Sequence, residues 1–406
     1  MNILLINHYA GSTEMGMEFR PYYMAREWTK LGHKVDIVAG DYSHLRKVNP
    51  NVKHDFQTED IEGITYHWIK TGTYEGNGAK RAITMFRFVG KLWLNASKIV
   101  KEIAPDVVIS SSTYPIDTFA AQRIAKKAKA KLIHEVHDMW PATLIELGGM
   151  SPLNPFVIVM RWGEEAAYKN SDIVVSLLPN AKEYMMQHGM KKEKFICIPN
   201  GVVKEDWDKK SELPEHHKEI LAKYKKKFHF VIGYFGGHAM SNALDTLVDV
   251  ATMLHDDMDI LFVLVGDGVE KNRLQEKAKK SNNILFLPPI SKKSIPALLK
   301  EFDIVYIGAK NSTLYRFGTS MNKIYDAMMG KKPILYAVNS PNNYVMQYAC
   351  GVSIEPENIE ALQQGIYQFR KMSCEELKEM GENGYRAVIN HFEYSVLAKD
   401  FLKAME

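Results

Sequence analysis

The chain contains 406 residues, 46% of them hydrophobic and 25% charged, and its formal net charge is +4. This composition excludes a disordered protein, a collagen-like fibre and a small disulfide-stabilised module, and so weak a charge does not indicate nucleic-acid binding. The three cysteines lack CxxC spacing, which favours reduced thiols in a cytoplasmic protein and indicates no zinc site.

The N-terminal residues MNILLINHY predict a buried strand and not a signal peptide, because they lack a charged start and a cleavage site. No run approaches the roughly 18 apolar residues that a membrane-spanning helix requires. These features predict a cytoplasmic enzyme whose membrane contact is at most peripheral.

Strand-length apolar runs alternate with helix-patterned segments throughout the first half. The chain opens as a βαβ unit, with a strand at Asn2–Asn7, a helix near Glu18–Leu31 and a strand at Lys34–Val38. The further predicted strands are Asp106–Ser110, Lys131–Val136, Asp172–Ser176 and Lys194–Ile198. The further predicted helices lie near Ile83–Ile103, Ile116–Ala128, Phe156–Tyr168 and Ala181–Gln187. This alternation predicts a parallel sheet covered by helices on both faces.

The polar stretch Pro199–Lys227 interrupts the pattern, and a second series follows it. The predicted strands of this series are Phe228–Phe235, Ile260–Val265, Ile284–Leu287, Ile304–Ile307 and Pro333–Ala337. The helical residues from Cys374 onward either close the second domain or return to the first. We interpret the fold class as α/β, with two Rossmann-like doubly wound domains facing a cleft at the carboxyl ends of their strands.

Two strand-to-helix loops of the first half carry candidate site residues. In HYAGSTEMGMEFR, Gly11 and Gly16 could let the backbone approach a bound group, or they could only form a tight turn. In HEVHDMWP, His137 follows a strand beside Asp138, a carboxylate suited to fix the tautomer of a histidine that contacts a substrate hydroxyl. A purely structural His–Asp pair is the alternative.

The second half has three such loops. Gly236 and Gly237 precede a helix, so backbone amides could bind a diphosphate there, or the glycines could only permit close packing. Gly266-Asp267-Gly268 predicts a turn and a cap. In FGTSMNKIYDAMMGKKPI, Lys323 at a helix start and Asp326 one turn inside suit phosphate and ribose, with a capped helix and a solvated lysine as the alternative. The upstream cations that could neutralise the same diphosphate are Lys310 and Arg316.

Two further segments allow a functional and a structural interpretation. Asp257-Met258-Asp259 fits a DxD motif, but it precedes a predicted strand and so lies at the wrong end of the sheet for the cleft, which disfavours metal binding. The segment AKRAITMFRFVGKLWLNASKIVKE mixes basic and aromatic residues and either contacts anionic lipid or covers its own sheet. Its basic residues are Lys80, Arg81, Arg87, Lys91, Lys98 and Lys101.

The whole pattern resembles the retaining glycosyltransferases of family 4, which have the two-domain GT-B fold, and especially members that build bacterial O-antigen and capsular polysaccharides. The motifs that carry the resemblance span nearly the whole chain: the loop from Gly11 to Gly16, LGHKVDIVAG, HDMWP, IPNGV, LVGDGVEK and FGTSMNKIYDAMMGKKPI. Their order and spacing are more specific than any one motif.

The resemblance implies transfer of a sugar from a nucleotide donor, with retention and without a metal or other cofactor. The expected donor is a UDP-sugar such as a UDP-hexose or UDP-N-acetylhexosamine. The expected acceptor is a lipid-linked or growing saccharide. If the basic segment contacts the membrane, the expected carrier is a polyprenyl diphosphate at the inner face of the plasma membrane. An acceptor-binding domain at residues 1–203 would precede a donor-binding domain at 204–385, and a helix at 386–406 would pack back on the first domain. The acceptor proton is expected to pass to the leaving phosphate.

The same resemblance implies roles for single residues. Asp326 matches the last acid of the E-x7-E segment, which bonds the ribose, and His137 matches a histidine that contacts the donor sugar. Gly318 stands where the first acid would fall. The Arg and Lys pair that many members place after the first strand of the second domain is missing, and GGHAMSNALD offers only His238 and Asn242.

In place of that pair, we expect Lys323 with Arg316 to neutralise the diphosphate, backed by the amides of Thr319 and Ser320. The residues assigned as catalytic are His137, Asp138 and Lys323. The residues assigned to the donor are Gly11, Ser12, Gly236, Gly237, His238, Asn242, Gly266, Pro289, Ile290, Arg316, Gly318, Thr319, Ser320 and Asp326. The residues assigned to an acceptor or membrane surface are Arg20, Lys80, Arg81 and Arg87.

Two other functions stay open at this point. A UDP-sugar 2-epimerase can use the same fold, although it normally needs more ionisable groups in the cleft. A non-catalytic sugar-nucleotide-binding partner of a polysaccharide assembly complex is favoured by the missing Arg and Lys pair.

Overall fold

The computed structural model of the protein describes residues 1–16, 19–76, 78–209, 211–256 and 259–406. They form two compact units: Met1–Pro199 with Tyr394–Glu406, and Asn200–Glu393. The chain therefore leaves the first unit after residue 199 and returns to it at residue 394, whereas the sequence predicted these crossings after residues 203 and 385.

Fourteen strands and seventeen α-helices are formed by the described residues, with five short 3-10 helices between them. The strands, β1 to β14 in chain order, are Asn2–Ile6, Lys34–Gly40, Gln57–Ile61, Ile64–Ile69, Val107–Ser110, Lys131–Val136, Ile173–Ser176, Phe195–Cys197, Phe230–Phe235, Ile260–Val265, Ile284–Leu287, Ile304–Gly308, Ile334–Ala337 and Gly351–Ser353. The helices, α1 to α17, are Phe19–Lys30, Ala79–Leu94, Ala96–Ile103, Thr118–Ala128, Ala142–Glu146, Pro155–Asn170, Lys182–Gln187, Lys204–Asp208, Glu215–Lys225, Leu244–Met253, Lys271–Lys277, Ile295–Lys300, Asn322–Met329, Tyr344–Gln347, Ile359–Lys371, Cys374–His391 and Tyr394–Met405.

Each unit is built on one sheet. The strand order is β3-β4-β2-β1-β5-β6-β7-β8 in the first unit and β11-β10-β9-β12-β13-β14 in the second. Alternate residues of a strand face opposite sides of the sheet, and in β9 Val231 and Phe235 join one core while Ile232 and Tyr234 join the other. Helices cover both faces of this second sheet, so the predicted α/β class with Rossmann-like domains is confirmed.

The terminal helix α17 packs on α1 within the first unit. The Trp28 indole donates from Nε1 to the carbonyl of Ala398 at 3.2 Å, and its ring meets that of Phe401 at 5.1 Å. The rings of Tyr23 and Tyr394 also lie 5.1 Å apart. The last helix thus completes the core of the first unit, whereas α16 remains in the second.

Two predicted elements differ from the structure. The first sheet is not wholly parallel, because β3 pairs antiparallel with β4; three of the five β3 residues are exposed, so this strand has no apolar pattern. The predicted helix Ile83–Ile103 is two helices, α2 and α3, which are separated at Asn95.

Asp257 and Met258 of the DxD motif lie outside the described residues, as does Glu18 of the first glycine loop. Among the described helices, none has the length and apolar character needed to cross a bilayer.

Candidate active site

In each unit, the strand order reverses at one place. β1 lies between β2 and β5 in the first sheet, and β9 lies between β10 and β12 in the second. Ligands of parallel α/β sheets bind at such points, outside the carboxyl ends of the strands. The candidate residues are therefore those that follow β1, β5 and β6 in the first unit and β9 to β12 in the second.

Glu135, near the end of β6, is the centre of a buried hydrogen-bond network in the first unit. Arg20 from α1 donates to Oε1 through Nε and Nη2, at 3.0 and 2.9 Å. The Ser111 hydroxyl donates to Oε2 at 2.6 Å, and Nε2 of His137 lies 3.0 Å from the same oxygen. Both oxygens of a carboxylate that is only 2% exposed are thus hydrogen-bonded, which stabilises its buried charge.

This network determines how His137 can bind a ligand. Burial disfavours the charged form of Glu135, but the nearby Arg20 and His137 outweigh burial and hold the pKa of its carboxyl below its usual range. Because a charged carboxylate only accepts hydrogen bonds, Nε2 of His137 donates to it, and in the tautomer that this selects Nδ1 carries the lone pair. No described residue bonds to Nδ1. His137 can therefore accept a hydrogen bond from a ligand hydroxyl.

The structure corrects the role predicted for Asp138. Its Oδ1 accepts hydrogen bonds from the amide of Met139 at 2.8 Å and from the hydroxyl of Thr143 at 2.7 Å. Asp138 thus shapes the turn before α5, and the carboxylate that fixes the tautomer of His137 is Glu135 instead.

Three other residues assigned to a site in the first unit are buried: Gly11, Ser12 and Arg20. Arg20 is only 5% exposed, so the prediction that it faces an acceptor or a membrane is wrong; its charge is used to hold Glu135. The carbonyl of Gly11 accepts a hydrogen bond from the Tyr66 hydroxyl at 2.7 Å, and the carbonyl of Ser12 accepts one from the amide of residue 16 at 3.2 Å. Gly11 and Ser12 therefore lie in a tight turn of the first unit.

The basic residues of α2 have different surroundings. Lys80 and Arg87 are exposed, and Arg87 donates to the carbonyl of Thr71 at 3.2 Å. Arg81 is half-buried: its guanidinium lies over the ring of Tyr9 and donates to the Tyr9 hydroxyl at 3.2 Å. Lys80 and Arg87 are thus available to an anionic surface, whereas Arg81 also supports the loop after β1.

In the second unit, the loops after β9 and β10 both contain positions that require glycine. Gly236 has a φ of +129°, and a Cβ there would lie 2.4 Å from Cε of Lys323. A Cβ on Gly266 would lie 1.9 Å from the carbonyl oxygen of Gly236, and one on Gly268 would lie 2.5 Å from that of His238. The predicted turn after β10 therefore supports the loop after β9.

Replacing Gly268 by alanine is expected to destabilise the second unit by about 2 kcal/mol. The reason is that its φ of +155° disfavours a side chain and the new Cβ would meet the loop after β9. Gly237→Ala is the matched control, because a Cβ there meets nothing within 4 Å. Thermal unfolding of both variants measures the difference, and equal stability would contradict this account of the turn.

Lys323, in the first turn of α13, passes over Gly236 and is held by uncharged groups. Its Nζ donates to the Tyr234 hydroxyl and to Oδ1 of Asn242, both at 3.1 Å. The Tyr234 hydroxyl and the Asn242 amide also donate to the carbonyl of Gly237, at 2.5 and 2.8 Å. This closed network places the ammonium beside the glycine loop, as the assignment of Asn242, Gly236 and Gly237 to one site requires.

The charge of Lys323 has no carboxylate partner among the described residues. Burial lowers its pKa to about 8, so the ammonium still predominates at neutral pH. The ammonium group has three N–H bonds, and two of them donate to Tyr234 and Asn242. The third is free for a ligand, and an ammonium of this kind is suited to a phosphate oxygen.

The glycine loop itself supplies less than the sequence predicted. The amide of Gly236 donates to the carbonyl of Val265 at 2.9 Å, and that of His238 donates to Asp267 at 2.8 Å, so these amides are not available to a diphosphate. The His238 ring is fully buried, and burial lowers its pKa to about 4, which leaves it uncharged at neutral pH. Positive charge beside this loop therefore comes from two lysines: Lys323, and Lys271, whose Nζ donates to the carbonyl of Gly266 at 2.7 Å.

Asp326, one turn after Lys323, forms an ion pair that the sequence did not predict. Nζ of Lys292 lies 2.5 and 2.6 Å from its two oxygens. Lys292 belongs to a short 3-10 helix after β11, in the loop that also contains the half-buried Ile290 and the exposed Pro289. The ribose-binding acid that the resemblance implies is thus already paired with a lysine.

The residues before α13 mainly shape its approach. The amide of Thr319 donates to Oδ1 of Asn342 at 2.8 Å, and the Asn342 side chain donates back to the Thr319 carbonyl at 2.7 Å. The Ser320 hydroxyl accepts from the amide of Asn200 at 2.8 Å, and Gly318 has a φ of +97°. The prediction that the Thr319 amide backs a diphosphate is therefore wrong.

The two upstream cations also have partners away from Lys323. Arg316 is exposed, donates to the carbonyl of Thr313 at 2.8 Å and stacks on the ring of Phe317. Lys310 pairs with Glu357 at 2.7 Å, so its predicted role at the diphosphate is not supported. Among the described residues, no group of three His, Cys, Asp or Glu side chains is arranged to hold a metal ion.

Sequence analysis assigned no role to Glu135, Tyr234 or Lys292. Glu135 and His137 are two residues apart at the end of a strand, and this spacing could have identified them as neighbours on one face. Tyr234 and Lys292 carry no such mark, since a strand tyrosine resembles any core aromatic residue and a loop lysine resembles any surface cation.

Two family models match the chain in succession. Residues 15–201 match the glycosyl transferase 4-like domain, and residues 214–387 match the glycosyl transferases group 1. Comparison with curated proteins finds no match.

Solved structures resemble the fold over its full length. A glycosyltransferase from Rickettsia africae has a TM-score of 0.69 at 19% identity, covering 99% of this chain and 97% of that chain. Anabaena HepE in complex with UDP and glucose has a TM-score of 0.67 at 15% identity, covering 100% and 99%. WaaG, a glycosyltransferase involved in lipopolysaccharide biosynthesis, has a TM-score of 0.65 at 15% identity, covering 98% of both chains. The chain belongs to the group 1 glycosyltransferases of GT-B fold.

Proposed function

We propose that the protein is a retaining, metal-independent transferase that moves a hexosyl or N-acetylhexosaminyl group from a UDP-sugar to a polyprenyl-diphosphate-linked saccharide. The product would belong to a surface polysaccharide such as O-antigen or capsule. The choice of donor and pathway is supported by the UDP and glucose bound to HepE and by the part of WaaG in lipopolysaccharide biosynthesis.

The observation that carries the proposal is the Lys323 ammonium beside the glycine loop. When the bond between the sugar and UDP breaks, negative charge grows on the diphosphate, and a fixed cation stabilises that charge without reorganising. Tyr234 and Asn242 hold the ammonium in place before the donor binds. Because this cation can stabilise the diphosphate, we propose that the reaction needs no metal ion.

In the reaction, the acceptor hydroxyl oxygen bonds to the anomeric carbon on the face from which UDP departs. The electron pair of the broken bond goes to the diphosphate oxygen, and the hydroxyl proton passes to the same leaving group. In the first unit, Nδ1 of His137 would accept a hydrogen bond from a sugar hydroxyl and orient that sugar. Glu135 and Ser111 act on His137 as positioning residues.

A thermal-shift panel with UDP, GDP, ADP and CMP in EDTA tests the donor class, because a ligand of the native state raises its stability. Stabilisation by UDP alone is expected, followed by transfer from a UDP-sugar to a polyprenyl-diphosphate saccharide with an unchanged anomeric configuration. No shift with any nucleotide, or one that needs a divalent metal, would contradict the proposal. UDP binding without transfer would favour the non-catalytic partner, and 2-epimer formation without acceptor would favour the epimerase.

The proposed membrane contact rests on the exposed face of α2. A membrane-bound acceptor requires an enzyme that reaches the lipid surface, and apolar side chains flanked by basic ones are suited to anionic lipid. Lys80 and Arg87 lie three residues before and four after Ile83, so the three share one side of the helix. The exposed apolar side chains of α2, each at least 41% exposed, are Ile83, Phe86, Trp93 and Leu94.

Reversing the charges of Lys80 and Arg87 to glutamate is expected to weaken binding to phosphatidylglycerol vesicles about tenfold or more, since each basic residue near such a surface contributes about 1 kcal/mol. Co-sedimentation with the vesicles measures the change. The matched control is Lys126→Glu with Lys127→Glu, which makes the same charge change on exposed positions of α4. Equal sedimentation of both double variants would contradict the membrane contact.

A further inference from the structure

The Lys292–Asp326 ion pair offers a hydrogen-bond donor and an acceptor at one point of the second unit. The Asp326 side chain is 6% exposed and that of Lys292 is 35% exposed. A ligand that approaches this point from solvent therefore meets the ammonium more readily than the carboxylate. Asp326 is assigned to the ribose by family resemblance alone, and that assignment gives Lys292 no role.

A sugar hydroxyl is complementary to such a pair because it both donates and accepts. Nζ of Lys292 lies within hydrogen-bond distance of both Asp326 oxygens, yet it has three N–H groups, so one remains for a ligand oxygen. Each carboxylate oxygen also has a second lone pair, which can accept a hydroxyl proton. Two neighbouring hydroxyls of a cis-diol can thus bond to the ammonium and the carboxylate together.

The position of Asp326 on α13 fits a nucleoside attached to a diphosphate. Asp326 comes three residues after Lys323, and side chains at this spacing lie on one side of a helix with Cβ atoms about 5–6 Å apart. Lys323 is the cation that the proposed function places at the diphosphate. The ribose is the next group along a nucleotide, so it falls beside the next side chain along the helix.

The shorter acid gives Lys292 a specific task. Asp326 reaches about one methylene less far than the glutamate usual at this position, and it is nearly buried. Lys292 comes from another element, the loop after β11. Its side chain places an ammonium group on the solvent side of the Asp326 carboxylate.

We infer that Lys292 contacts the cis-diol of the donor ribose directly, with Asp326, the acid that the resemblance assigns to the ribose, holding its ammonium in position. This inference rests on the proposed function and deepens it. It makes Lys292 a determinant of selectivity for nucleotides that carry both ribose hydroxyls.

Calorimetric titration of the full chain with UDP and with 2′,3′-dideoxy-UDP tests the inference. The wild-type protein is expected to prefer UDP, and Lys292→Met is expected to lose about tenfold or more in UDP affinity, as for one hydrogen bond to a charged group. Lys292→Met should also lose most of the preference over dideoxy-UDP. Lys293→Met, one residue away on the same loop with the same charge change, should retain both properties, and Lys292→Arg should retain most of the preference.

The ratio of the two affinities separates binding from a purely structural role. A Lys292→Met protein that keeps the wild-type ratio would overturn the inference, even if its thermal stability fell. If that variant does not fold, Lys292→Gln is measured against the same two nucleotides, and retention of the ratio has the same meaning. A wild-type protein that binds no nucleoside diphosphate would instead contradict the proposed function.

Discussion

Lys323→Gln is expected to lower the affinity for UDP by about 100-fold and to reduce sugar transfer at least as much, since charged hydrogen bonds to phosphate are among the strongest in proteins. Glutamine keeps N–H donors for Tyr234 and Asn242 but removes the charge that a diphosphate requires. The reaction should suffer more than binding, because negative charge on the diphosphate grows as the glycosidic bond breaks. Calorimetry with UDP and a transfer assay measure the two effects.

The pH dependence of UDP binding provides a second test of the same residue. Burial lowers the pKa of Lys323 to about 8, so the free protein loses this charge as the pH rises through that value. UDP affinity is expected to stay steady between about pH 7 and 8 and then to fall by up to about tenfold per pH unit. Lys323→Gln should show no such fall.

Lys310→Gln is the control for charge in general. This lysine follows the neighbouring strand β12 but is paired with Glu357, so its loss should change UDP affinity less than about twofold. Wild-type UDP affinity in Lys323→Gln, or an equal loss in both variants, would contradict the role assigned to Lys323.

Arg20→Met is expected to reduce the stability of the first unit by about 3–5 kcal/mol, the usual effect of removing one partner of a buried ion pair. Glu135 would remain in the interior with only Ser111 and His137 as partners. Five of the six tryptophans lie in this unit, so intrinsic fluorescence during urea unfolding reports mainly on it. Arg273→Met, in an exposed ion-pair network of the second unit, should cost less than about 1 kcal/mol.

The pH dependence of unfolding follows from Glu135. Its folded-state pKa lies below the unfolded value of 4.5, so its contribution to stability is complete above that pH and is lost as the pH falls further. Arg20→Met should remove most of this acid sensitivity, because burial then raises the pKa of the carboxyl. Adding Glu135→Leu should restore part of the lost stability. Wild-type stability of Arg20→Met at neutral pH would show that the pair is not essential to the fold.

The fold could be predicted from the sequence where burial leaves a pattern. β9 and β10 are buried on both faces, so they read as continuous apolar runs, and their loops are marked by glycines. β3 carries the residues QTEDI on an exposed edge, where neither face requires apolar side chains. A strand of this kind cannot be recognised without its partner β4.

The candidate site could be predicted less completely because its contacts join distant parts of the chain. Asp138 is adjacent to His137 in sequence, yet the carboxylate that bonds His137 is Glu135, which also depends on Arg20, 115 residues earlier. Lys323 was identified from its place at a helix start. Its partners Tyr234 and Asn242 lie 89 and 81 residues away, and no local pattern connects them.

The return of α17 to the first unit affects the order in which the protein can fold during synthesis. When the ribosome has made residues 1–199, Trp28 of α1 still lacks Ala398 and Phe401, its partners in the last helix. The whole second unit must be translated before the first can bury that apolar surface. The N-terminal half therefore remains incomplete for most of translation, and a chain that terminates a few codons early would damage the unit that was made first.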